Sequence, residues 1–388
     1  MPEHHSPPSH NPLVYRRVVV KVGTNLLTRG TQRLDPEAMA AMAVQVATLR
    51  RAGAQVVMVS SGAIAAGRSR LGDATELRTD GEPRDLPTRQ ALAAIGQSRL
   101  MSMWDGLFEM EGTIVAQALL TRRDLADRLG YLNARNTLLG LIERDVVAIV
   151  NENDVVSIEE IADSVIGDND NLSAEVANLV DADLLLILTD IEGLYSADPR
   201  RDPNATLIRE VARIDDAIVI SARGKAGERG TGGMATKVQA AQVATQAGVH
   251  VVIADGRVED VVHRVAAGEA IGTHFLPTAD RVESRRRYLL SRLQSRGRVI
   301  VDDGAARALT YEGKSLLPAG VLGAEGDFQR GDVVRIVTTA GADLASGSVN
   351  YSAAEIVQVM GQRSDRIAEV LGYEYGEEIV HRNNLVLL

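Results

Sequence analysis

The first strong pattern in the chain is Arg17-Val18-Val19-Val20-Lys21-Val22-Gly23-Thr24-Asn25, an apolar run ending in a glycine turn. The run is continuous rather than alternating, which predicts a strand buried on both faces of a parallel sheet. Asp35-Pro36-Glu37 then marks a helix start, and Met39, Met42, Val46 and Leu49 follow at helical spacing until Ala52-Gly53. The alternation continues along the chain. Strands are expected over 55–59, 113–119, 146–150, 183–188 and 250–254, and helices from Ser61-Gly62, over 88–111 and 133–143, over 174–180, and opened by the stretch 230–237. Such alternation predicts an α/β fold: an open, mainly parallel sheet sandwiched by helices, with right-handed crossovers. In sheets of this kind ligands bind outside the C-terminal ends of the strands.

Beyond Pro277 the texture changes. Residues 281–298 carry seven arginines, and after them short β-like runs such as Val299-Ile300-Val301 and Val333-Val334-Arg335-Ile336-Val337 alternate with glycine turns. The expected organisation is a disordered His- and Pro-rich leader over 1–14, an α/β domain over 15–277, an Arg-rich linker over 278–297 and a small β-barrel-like domain over 298–380. A polar stretch over 72–86 reads as a surface loop. The single tryptophan, Trp104, stands among Met101, Met103, Leu107 and Phe108, as a packing residue would.

Composition narrows the chemistry. There is no cysteine in the 388 residues, which removes disulfides, thiolate catalysis and cysteine-bound zinc, and fits a cytoplasmic protein. A net charge of −10 and only 3% aromatic residues argue against nucleic acid as a partner. No apolar run is long enough to span a bilayer. No pair of histidines has metal-ligand spacing, and no dinucleotide fingerprint follows the first strand. Gly313-Lys314-Ser315 resembles the end of a phosphate-binding loop, but Ala308 occupies the place of its first glycine, in the β-rich tail.

The polar cluster Gly167-Asp168-Asn169-Asp170-Asn171-Leu172-Ser173 opens a helical pattern. A helix cap needs one of these side chains, so the others are free to hold cations or ammonium groups. Lys21 admits two readings: an edge lysine reaching water, or a cation beside an anion cradled by Gly23 and Thr24. Ser60-Ser61-Gly62-Ala63 is either a tight strand-to-helix turn or an anion site at a helix start. Thr189-Asp190 ends the most apolar strand, and Gly230-Thr231-Gly232-Gly233-Met234-Ala235-Thr236-Lys237 is a glycine-rich helix start with a lysine one turn in. Two lysines in glycine loops, with carboxylates and no evident base, suit phosphoryl transfer, which needs positioning and charge more than covalent chemistry. A carboxylate acceptor would already be ionised near neutral pH and would need no base.

Taken together, Val20-Lys21-Val22-Gly23-Thr24, 61–67, Val150-Asn151-Glu152-Asn153-Asp154, 167–174, Leu188-Thr189-Asp190 with Gly193-Leu194-Tyr195, and 230–234 resemble the amino-acid kinase family. The resemblance spans roughly 15–380 and is to the branch that acts on glutamate and carries a C-terminal PUA domain. It implies ATP-dependent phosphorylation of the γ-carboxylate of L-glutamate, the first step of proline biosynthesis, with N-acetylglutamate, aspartate or UMP as the acceptors of related kinases. It also implies roles for particular residues. Lys21, Lys237 and Asp170 would be catalytic; Ser61, Gly62, Ala63, Asp154 and Asn169 would bind the acceptor. Lys21, Thr189, Asp190, Thr231, Gly232, Gly233, Met234, Ala235, Thr236 and Lys237 would bind ATP, with Mg²⁺ on its phosphates rather than on a protein metal site. Proline as feedback inhibitor, a homo-oligomer, and transfer of the labile acyl phosphate to glutamate-5-semialdehyde dehydrogenase are further expectations. An RNA-binding role through the PUA domain is the rival from another class.

Overall fold

The computed structural model describes residues 12–71, 85–157, 168–223, 233–278 and 295–388. The leader up to residue 11, most of the polar loop, the stretch 158–167, Thr231 and Gly232, and the arginine-rich segment 279–294 lie outside them. The described residues form two compact units, one up to residue 126 with 133–279, the other comprising 127–132 and the residues from 280 onward.

The larger unit contains β1 (Arg17–Val22), α1 (Thr24–Thr28), α2 (Pro36–Arg51), β2 (Gln55–Ser60), α3 (Ala63–Leu71), α4 (Leu86–Met110), β3 (Val115–Leu120), α5 (Arg122–Ala126), α6 (Arg128–Glu143) from residue 133 onward, β4 (Val147–Glu152), α7 (Asp168–Leu179), β5 (Leu184–Thr189), β6 (Glu210–Val211), α8 (Asp216–Arg223), α9 (Gly233–Gln246), β7 (His250–Asp255), α10 (Val261–Ala266) and β8 (Thr273–Phe275). The eight strands make one sheet in the order β3-β4-β2-β1-β5-β7-β8-β6. Every pairing is parallel except β7 with β8. The expected sheet is therefore present, and the short strands β6 and β8 extend it at one edge. Two or three residues are too few to show a period, so those strands carry no sequence pattern of their own.

Strand β1 has β2 on one side and β5 on the other. The chain first fills one side of β1, placing β2 beside it, then β3 at the edge and β4 between them, and only then returns to the other side of β1. This reversal opens a crevice beyond the C-terminal end of β1, where Lys21 and Val22 lie. Alternation decides which way Lys21 faces. Val18, Val20 and Val22 enter the core beneath α2, α4 and α10, with Met39, Met42, Leu100, Trp104, Val261 and Val265. Val19 and Lys21 consequently face the opposite layer, where α7 runs along β1 and β5 and packs on α9.

Helix ends follow their expected chemistry. The Asp35 side chain accepts from Ala38 N (2.9 Å) at the start of α2, and Asp85 accepts from Thr88 N (2.9 Å) at the start of α4. The Asp35 cap contributes about 1 kcal/mol. Trp104 is fully buried, and its indole N–H donates to Ser60 Oγ at 3.0 Å. Its place is the core, as its neighbours in the sequence suggest.

The smaller unit holds a five-stranded sheet in the order β10-β9-β11-β12-β13, with β9 (Gly297–Val301), β10 (Val321–Gly326), β11 (Val333–Thr338), β12 (Asp343–Ser348) and β13 (Leu385–Leu387). Its core is its own, including Val299, Phe328, Ile336, Tyr351, Ile356 and Ile379. Two features depart from the expectation. The helices α11 (Asp303–Glu312), α12 (Ala353–Val359) and α13 (Ile367–Leu371) stand beside the strands. Strand β13 pairs with β12 beyond residue 380, where the domain was expected to end, because Leu385-Val386-Leu387 supplies one more apolar run.

Candidate active site

Asp170, in the first turn of α7, is 1% exposed. One of its oxygens, Oδ1, is 2.5 Å from Lys21 Nζ; the other, Oδ2, is 3.1 Å from Lys237 Nζ and accepts from Thr236 Oγ1 at 2.8 Å. A single carboxylate thus holds two buried ammonium groups, one from the end of β1 and one from α9. Lys237 Nζ also donates to the Gly233 carbonyl, at 3.0 Å. Burial works against the charged form of Asp170, but the two lysines, Lys21 first, outweigh it and keep the carboxyl below its ordinary range. For Lys237 burial comes first and the charge of Lys21 adds to it, so its pKa is lowered despite Asp170. Two cations against one anion leave the cluster one positive charge in excess, in surroundings of low dielectric. That excess suits an incoming polyphosphate.

The far end of α7 is fixed as well. Arg135, buried on α6, donates to the Leu179 carbonyl and pairs with Asp181 Oδ2 at 2.5 Å. A cation on the last carbonyls of a helix complements its dipole and holds α7 in place.

A second group of side chains meets at the ends of β2 and β4. Asn169 Nδ2 donates to Ser61 Oγ (2.9 Å) and to Asn151 Oδ1 (3.0 Å), and Asn151 Nδ2 donates to Gln97 Oε1 (2.7 Å). Gly62 adopts φ +111°, a conformation suited to glycine, and Ala63 begins α3. Asp154 lines a small crevice with Ile64, Arg89, Gln90 and Ser157.

On the other side of β1, Thr189 ends β5 and Asn25 Nδ2 donates to Asp190 Oδ2 at 3.3 Å. Asp190 also bears on Lys237 through its charge. Gly233 opens α9 with free space where a Cβ would stand, Met234 is half-buried and Ala235 is exposed. A Cβ on Gly23 would stand 3.6 Å from Lys21 Nζ, so glycine there leaves the ammonium open on that side. Among the expected residues, then, Lys21, Asp170, Thr236 and Lys237 form one cluster, and Ser61 and Asn169 a neighbouring one. Gln97 and Asn151 are additions. Gln97 falls on the packed face of α4 with Ala93, Leu100 and Trp104, and a polar residue at that spacing was the available signal.

The geometry defines a buried cluster of two lysines on one aspartate at the switch point of a parallel α/β sheet. The profile of the amino acid kinase family matches residues 16–255, and that of the PUA domain matches 297–371. The chain belongs to the amino acid kinase family. It is 53% identical to the glutamate 5-kinase of Dehalococcoides mccartyi strain CBDB1 over 96% of this chain and 99% of that one. It is also 50% identical to the glutamate 5-kinase of Herpetosiphon aurantiacus over 96% and 98% of the two chains. Among solved structures, a UMP kinase from Bacillus anthracis aligns with TM-score 0.48 and 16% identity, over 68% of this chain and 97% of that one.

Proposed function

We propose that this chain transfers the γ-phosphoryl group of ATP to the γ-carboxylate of L-glutamate, giving L-glutamyl 5-phosphate for proline biosynthesis. The observation that carries this is Asp170 holding Lys21 and Lys237 together at the crevice beyond β1. The near full-length similarity to glutamate 5-kinases selects the acceptor.

A carboxylate oxygen of glutamate attacks the γ-phosphorus. The new O–P bond forms as the bond to the bridging oxygen breaks, and ADP leaves with that electron pair. The acceptor is already ionised, so no proton has to be removed. Lys21 and Lys237 face the charge that moves from the γ-oxygens to the bridge, and Asp170 keeps both ammonium groups aimed and unable to part. Ser61, Gly62, Ala63, Asp154 and Asn169 hold glutamate. Thr189, Asp190 and the start of α9 from Thr231 hold the nucleotide; Thr231 and Gly232 lie outside the described residues. Mg²⁺ would come with the phosphates and, when bound, would neutralise part of their charge. Thr236 has a second task in this scheme, because its hydroxyl is committed to Asp170.

The same proposal includes inhibition by proline, a homo-oligomeric state, hand-off of the acyl phosphate to a dehydrogenase, and a cytoplasmic location. No helix among the described residues is long and apolar enough to cross a membrane. The test is an ADP-release assay over glutamate, N-acetylglutamate, aspartate and UMP. Turnover confined to glutamate is expected; turnover on another acceptor and none on glutamate overturns the assignment.

A further inference from the structure

Four segments meet in the chain of bonds Gln97–Asn151–Asn169–Ser61, and every amide in it points the same way. Asn169 donates to Asn151, Asn151 donates to Gln97, and two buried atoms are left at the ends. These are Gln97 Nε2 and Asn169 Oδ1, neither of which has a hydrogen-bond partner among the described residues. A side-chain amide has a donor end and an acceptor end, so turning the whole chain round would exchange them. Asn169 would then present N–H groups in place of its carbonyl oxygen.

We infer that Gln97 is a positioning residue of the acceptor site: its carbonyl, by accepting from Asn151, fixes the sense of the Asn151 and Asn169 amides so that Asn169 Oδ1 is kept for the α-ammonium of the amino-acid acceptor. The inference rests on the glutamate assignment. A buried acceptor without a donor is costly, and an ammonium group removes that cost where a substrate lacking the amine does not.

The backbone explains how Gln97 is held. A Cβ at Gly96 would come 1.8 Å from the Ala63 carbonyl oxygen, and one at Gly67 would come 2.0 Å from that of Leu92. Helices α3 and α4 therefore cross with glycine against backbone, at a distance no larger residue permits. Because α3 begins directly after Ser61 and Gly62, this crossing seats Gln97 against the same turn that presents Ser61.

The experiment compares the KM for glutamate with the Ki of glutarate, the same diacid without the amine, in the full-length wild type, Gln97→Met and Gln97→Glu. In Gln97→Met the preference for glutamate over glutarate is expected to shrink by about tenfold and the melting temperature to fall as Asn151 loses its acceptor, while the KM for ATP stays put. Glutamate at this position can only accept, so Gln97→Glu locks the same sense and keeps the preference within about twofold, its added charge acting on both diacids alike. If the Met variant does not fold, the Glu variant decides, and loss of its preference overturns the inference. An unchanged preference in folded Gln97→Met, or equal losses for ATP and glutamate, also overturns it. A wild type that does not turn over glutamate overturns the glutamate assignment itself.

Discussion

Lys21 and Lys237 reach opposite oxygens of the Asp170 carboxylate, at 2.5 and 3.1 Å, and all three side chains are buried. Two like charges in a dry site repel, and the anion between them is what lets both remain. Asp170→Asn removes that anion and keeps the shape. We expect the fold to lose about 3–5 kcal/mol, the cost of uncovering a buried charge. Turnover should fall with it as the lysines separate or one deprotonates. Denaturant unfolding and kcat on the same preparation check both.

The pH dependence follows from Lys237. Burial, then the charge of Lys21, holds its pKa below the ordinary 10.5 in the ligand-free site, so kcat/KM for ATP should begin to fall on the alkaline side below that value. An active Lys237→Arg variant should lack this limb, since guanidinium does not titrate there. The stability consequence has a definite sign. Between the folded Lys237 value and 10.5 the unfolded chain binds more protons, so this group makes stability rise with pH. Asp170 acts at the other end: despite its burial, the two lysines hold it below 3.8, and the stability it adds above 3.8 is lost as pH falls through its folded value. Unfolding free energies across pH, compared with Asp170→Asn, separate the two.

The acceptor and nucleotide halves should separate in kinetics. Ser61→Ala and Asp154→Ala are expected to raise the KM for glutamate by about three- to tenfold, and Asp190→Ala that for ATP by a similar factor, the loss of one hydrogen bond or one partly screened charge. Ser61 bonds Asn169, whereas Asp190 bonds Asn25 on the opposite side of β1. Titrating each substrate in turn tests the division. Equal effects on both in all three variants contradict it.

The parallel sheet was legible in the sequence because each inner strand is a continuous apolar run, and the helices because their apolar residues recur at helical spacing. Lys21 and Asp170 stood out in the sequence, the first as a charge at the end of an apolar run, the second as one of several polar side chains where a helix cap needs only one. Which partner each takes was not legible. The pairing depends on α7 and α9 lying on the same face of β1, and face is hidden when both faces of a strand are apolar. Gln97 was missed for a related reason: one polar residue on a packed helix face looks like a tolerated exception until its partner Asn151 is known. The helices of the small domain were missed because they are one to three turns long, too short for a clear period. The expected ends of β1 and β5 lie within a residue of those observed, whereas β6 and β8 left no trace in the pattern.

The crossing of α3 and α4 gives a contrast between two glycines in one helix. Gly96→Ala puts a methyl group against the Ala63 carbonyl with nothing flexible to yield, and should cost about 1–3 kcal/mol or more while raising the KM for glutamate through Gln97. Gly106→Ala meets no atom within 4 Å and should be neutral or stabilise by up to about 1 kcal/mol through helix propensity. Melting temperatures of the two variants measure the difference directly.

The central claim is that two lysines held by one aspartate move the phosphoryl group to glutamate, and the kcat of folded Lys21→Met and Lys237→Met tests it most directly. Each variant removes one charge that matters more in the transition state than in the ground state. Both should therefore lose about a hundred- to a thousandfold in kcat, with the KM for glutamate changed far less. A folded variant of either lysine that turns over glutamate near the wild-type rate would contradict the claim.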